Sequence, residues 1–204
     1  MSRQICKKTE EGTSVMEIDK VLRFEQRSEF REWLHGNADD TPYCWVILSR
    51  KNSRNGLLYL DAVEEALCFG WIDGIAKKTA EGEFVQRFSP RRQKSNWTEL
   101  NKERVRRLIR LGLMQERGLS VLPDMRVTSF IVDLEIILRL QENPRVYQNF
   151  MAFPELYRRI RIDTIQSVRQ DRELYTKRLD KLIEKTRANE MYGQWNDDGR
   201  LLHD

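Results

Sequence analysis

The spacing of the apolar residues changes once along this chain, near Pro90, and that change sets the class of fold. Before it, strand-like runs are interleaved with helical patterns; after Thr98 apolar residues recur only at three- and four-residue intervals. Tyr43-Cys44-Trp45-Val46-Ile47-Leu48 is aromatic and β-branched, the composition of a buried strand. Trp71 to Lys77 and Phe84 to Phe88, separated by Ala80-Glu81-Gly82-Glu83, read as an antiparallel hairpin closed by Pro90. Val21 to Phe24 is a further short strand, and Ser28 is placed to cap a helix carrying Phe30, Trp33 and Leu34. Leu60, Val63, Ala66 and Leu67 define another helix, ended by Gly70. Later helices have start signals at Thr98, Asp133, Asn143-Pro144, Pro154 (this one through Ile160) and Asp171. Strands first and helices after, without a repeated βαβ rhythm, predict an α+β fold: a small antiparallel sheet in the N-terminal half packed with helices, and a C-terminal half that is all helical.

With 204 residues, 40% of them hydrophobic, the chain can bury a core as one domain. The expected organisation is a polar arm over 1–20, an α+β domain over 21–190 and a tail over 191–204 whose docking the sequence leaves open. Cys6, Cys44 and Cys68 are odd in number and widely spaced, which fits reduced thiols better than disulfides or a zinc set. No apolar run approaches the ~18 residues of a membrane helix, so membrane insertion is not expected. The first twenty residues have no apolar export core, and the expected location is the cytoplasm. Paired-histidine, Walker and dinucleotide motifs are absent, so no metal and no cofactor is expected. A nucleophilic Cys68 would need a base beside it, and the two histidines, His35 and His203, fall at a helix end and in the tail.

Positive charge is concentrated. Nine basic residues and two acidic ones lie between Val85 and Arg110, although the whole chain carries only +4. Arg87, Arg91, Arg92 and Lys94 surround the Ser89-Pro90 turn, and Trp97 and Thr98 follow at the start of a helix. Arginine forks match phosphate and carboxylate oxygens, and helix N-termini attract anions. Ser95 and Asn101 supply neutral polar groups, and Trp97 a flat face for a base or a guanidinium. The segment therefore reads as a pocket for an anionic small molecule. The structural alternative pairs Arg91 and Arg92 with Asp73 or Glu64 and makes Trp97 part of the core. Just upstream, alternation puts Trp71 and Asp73 on one strand face; if Arg87 shares it, Asp73 could orient an arginine or serve as a general base. A second basic run, Arg158 to Arg187, is interspersed with acids and reads as solvated helix faces.

The segments ALCFGWIDG and RFSPRRQKSNWTELNKERVRRLIRLGLM, with PELYRRIRIDTIQ further on, resemble the YdeI/OmpD-associated family, also labelled bacteriocin-protection proteins. The resemblance runs from about Phe24 to Arg187. It implies a bacterial protein linked to survival against antimicrobial peptides or bacteriocins, without an established reaction. Some relatives are periplasmic and associated with a porin; the absence of an export signal here sets a different expectation. Two other readings stay open beside the anion pocket: a nucleic-acid-binding module using the Lys94 to Arg110 face, and a protein-interaction factor whose helical half binds a partner.

Overall fold

The structure, a computed structural model, describes residues 18–49 and 56–202. Most of the expected arm, Cys6, the loop after Ser49 and His203 lie outside them. In chain order the first half holds β1 (Val21–Leu22), α1 (Arg27–Asn37), β2 (Cys44–Ile47), α2 (Tyr59–Cys68), β3 (Trp71–Lys78) and β4 (Phe84–Pro90). The strands lie in the order β1-β2-β4-β3. β4 is antiparallel to both neighbours, with Phe88 opposite Asp73 on one side and Cys44 on the other; the two-residue β1 joins β2 in parallel at the far edge. The hairpin register shifts between Asp73 and Ala76. Buried Gln86 answers this bulge by donating its side-chain amide to the carbonyls of Gly74 at 2.8 Å and Ile75 at 3.3 Å. A bulge of this kind bends a strand and re-aims its side chains.

The second half holds α3 (Glu99–Arg110), α4 (Glu116–Ser120), a 3-10 turn (Val127–Ser129), α5 (Leu134–Gln141), α6 (Pro144–Ala152), α7 (Glu155–Gln166) and α8 (Arg172–Arg187). The fold is α+β, with the sheet confined to the first half. Several starts follow from single side chains. Thr98 accepts from the Asn101 N–H, Asn143 from those of Arg145 and Val146 ahead of Pro144, and Asp171 from that of Leu174. Ser28 is not a cap: α1 begins at Arg27, two residues earlier than that cap implies, because the Glu29 carboxylate reaches back to the N–H groups of Glu25 at 2.7 Å and Gln26 at 3.3 Å. α7 continues six residues beyond Ile160, since Ile162 and Ile165 extend its buried face.

Two apolar cores result. One packs Phe30, Leu34, Val46, Leu67 and Phe88 between the sheet and α1–α2; the other packs Ile136, Leu140, Phe150, Tyr157 and Leu182 among the later helices. α3 joins them, giving Val105 and Leu108 to the first core while Leu100 packs on the second. The tail docks: Trp195 is buried, its ring 5.6 Å from that of Tyr157, and Asp197 is 3% exposed. Among the described residues no helix is long and apolar enough to cross a membrane.

Candidate functional site

At the end of β4 the chain leaves the sheet, yet the Arg91 N–H still bonds the Gly70 carbonyl at 2.9 Å, so Arg91 is anchored like a strand residue. The backbone then reverses over Arg92 to Ser95, closed by the Ser95 N–H on the Arg92 carbonyl, with Lys94 in the left-handed region at φ 60°. This reversal returns Ser95 and Asn96 to Arg91, whose Nη1 donates to Ser95 Oγ at 3.3 Å and to the Asn96 carbonyl at 3.2 Å. Trp97 lies on the other side, its ring centroid 3.6 Å from the Arg91 guanidinium carbon, a cation–π contact.

Arg91 is 8% exposed and forms no ion pair among the described residues; its Nε is buried without a hydrogen-bond partner. Burial pushes its pKa down to about 10, with Asp73 acting in the opposite direction, so the group stays cationic at neutral pH. A buried, unpaired cation is costly, which makes it a ready partner for an anion. The side chain borders a cavity of about 440 Å³ whose wall also includes Asp73, Arg92, Ser95, Thr98 and Asn101. Arg92 is exposed. The Ser95 oxygen accepts from Arg91 and keeps its own proton for a ligand oxygen. Asp73 accepts from the Tyr59 hydroxyl at 2.8 Å.

The structure thus brings together Asp73, Arg91, Arg92, Ser95 and Asn101, with Trp97 behind Arg91. Two expected members lie elsewhere. Trp71 is fully buried in the first core, edge-on to Trp33 and donating from Nε1 to the Ala38 carbonyl at 3.2 Å. Arg87 alternates with Phe88, so it faces away from Asp73; it stacks 4.3 Å from the Tyr43 ring centroid. Arg87 therefore cannot be oriented by Asp73. The alternative pairing with Glu64 is also replaced, because Glu64 is held by Arg27 at 2.6 Å, Arg107 at 3.1 Å and Arg200 at 3.2 Å.

The helix start at Thr98 is already occupied. Asp163, from α7, accepts the Glu99 N–H at 3.0 Å, and Thr98 Oγ1 takes that of Asn101. The protein's own carboxylate sits where an external anion would use the α3 dipole, leaving Arg91 and Arg92 as the anion-attracting groups. Burial raises the Asp163 pKa, the Glu99 N–H countering it in part. Most of the remaining basic segment is neutralised internally: Lys102 pairs with Glu99 at 2.8 Å, Arg106 with Glu103 at 2.8 Å, and Arg104 with Asp197 at 2.6 and 2.8 Å. In the second run, Arg159 bridges Glu99 and Glu103, and Arg161 donates to the Gln194 carbonyl. Sequence reasoning missed Tyr59 and Asp163, which reach the site from distant elements and carry no local signal. Among the described residues no three His, Cys, Asp or Glu side chains are grouped as a metal would require.

Two family models match parts of the chain. Residues 129–189 match the family described as Bacteriocin-protection, YdeI or OmpD-Associated. Residues 22–121 match a Domain of unknown function (DUF8412). The segment PELYRRIRIDTIQ lies within the first match, while ALCFGWIDG and RFSPRRQKSNW, with the cavity at Arg91, lie within the second. No curated protein and no solved structure matches the chain.

Proposed function

We propose that this chain is a bacterial, cytoplasmic stress-protection protein, acting in resistance to bacteriocins or antimicrobial peptides, that binds a phosphate- or carboxylate-bearing small molecule at Arg91. The observation that supports the anion site is the guanidinium of Arg91: buried, stacked on Trp97, without an ion pair among the described residues, and bordering an open cavity. In this reading Arg91 and Arg92 hold the anionic group, Ser95 donates its hydroxyl proton to it, Asn101 orients it, and Asp73, bonded to Tyr59, borders it. The protective role comes from the match of residues 129–189.

A nucleic-acid surface along Lys94 to Arg110 draws less support, because Lys102, Arg104, Arg106 and Arg107 are engaged with Glu99, Asp197, Glu103 and Glu64. A thermal-shift screen of inorganic phosphate, nucleotides, carboxylates and short DNA and RNA, at low and moderate salt, separates the readings. Stabilisation by a small anion that survives added salt supports the pocket; saturation at a hundredfold Kd adds about 2.7 kcal/mol. An oligonucleotide response that collapses with salt supports the nucleic-acid reading through counterion release, and silence throughout supports a protein partner. Fractionation of cells expressing the chain tests the cytoplasmic assignment.

A further inference from the structure

We infer that the ligand is an amphipathic anion, whose charged head sits at Arg91 and whose apolar body lies in an adjoining cleft; the inference rests on the anion site proposed above. The second cleft has about 600 Å³, the size of a small-molecule site, and is walled by Leu58, Tyr59, Leu60, Leu100 and Arg104 together with the docked tail around Gln194 and Asp197. Two links set it beside the first cavity. Tyr59 lines the second cleft and hydrogen-bonds Asp73 of the first at 2.8 Å. On α3, Asn101 of the first accepts from Arg104 of the second at 2.8 Å.

The two arginines of the second cleft are already answered within the protein. Arg104 forks onto Asp197, and Arg200 is shared by Asp61 at 2.8 Å and Glu64 at 3.2 Å. A second charged group on the ligand would have to displace one of these pairs, whereas carbon laid against three leucines and the Tyr59 ring gains by leaving water. Among the described residues no ion pair answers Arg91 or Arg92. A molecule with one anionic end and an apolar body therefore suits the two adjoining clefts better than a multiply charged or uniformly polar one.

Calorimetric titration of methyl phosphate and hexyl phosphate into the full chain tests this. Hexyl phosphate is expected to bind about tenfold or more tightly, the effect of burying roughly two methylenes. Leu60→Gln, which adds polarity without charge, should remove that ratio, and Leu60→Ala, the milder variant should the first fail to fold, should reduce it. Arg91→Ala should weaken both. Equal affinities for the two phosphates, or a ratio untouched by either Leu60 change, overturn the inference and leave the anion site standing. Failure of both phosphates to bind overturns the anion site and the inference with it.

Discussion

Arg104 and Asp197, 93 residues apart in the chain, meet through two hydrogen bonds of 2.6 and 2.8 Å with both side chains almost wholly buried. The pair fastens the C-terminal tail to α3, the helix whose residues enter both cores, and lines the cleft beside the anion site. Asp197→Ala leaves Arg104 buried and uncompensated, and should destabilise the chain by about 3–5 kcal/mol in urea unfolding. The double change Arg104→Met with Asp197→Leu should recover most of that loss, since an apolar pair needs no partner.

Two glycines should respond in opposite senses. A Cβ at Gly118 would stand 2.2 Å from the Cys68 carbonyl oxygen and 2.8 Å from its carbon, where α4 abuts the end of α2. Gly118→Ala should cost about 1–3 kcal/mol. Gly36, inside α1 with nothing within 4 Å, should gain about 0.5–1 kcal/mol as alanine. Urea midpoints report both.

Asp163 sets a pH dependence. Its folded pKa is raised by burial above the unfolded carboxylate range, so between the two values the native state binds more protons than the unfolded one. Stability from this group therefore falls as pH rises through that window and is constant above it. Asp163→Asn keeps an acceptor for the Glu99 N–H and removes the penalty. The variant should be more stable than the parent at pH 7, with the difference shrinking as pH falls from the folded value to the unfolded one.

Cys44 and Cys68 should be inert. Burial pushes both thiols up to about 12, with Arg87 opposing it at Cys44 and Glu65 adding to it at Cys68. In a Cys6→Ser background at pH 8, a thiol reagent should label neither residue in the native state and both in denaturant, as mass spectrometry would show.

The strands and most helix starts were legible because each is a local matter: a β-branched run, Asn143 before Pro144, Asp171 three residues ahead of a bonded N–H. Ser28 misled because the competing carboxylate of Glu29 is equally local and reaches further back. The five-residue α4 and the 3-10 turn are too short for periodicity to register. The same division holds at the site. Arg91, Arg92 and Ser95 converge because one turn of chain carries them, whereas Trp71 points into the core and Arg87 faces away from Asp73. Asp163 on α3, Tyr59 on Asp73 and Asp197 on Arg104 are tertiary pairings, set by packing of distant elements.

The most direct measurement is the NMR signal of the Arg91 Nε–H, identified by its absence in Arg91→Lys and followed while inorganic phosphate is added. In the free protein this N–H is buried without an acceptor among the described residues. A large, saturable shift of that one arginine resonance, well beyond any other, is the result expected of an anion seated at Arg91. A resonance that stays in place while phosphate reaches saturating concentrations contradicts the account.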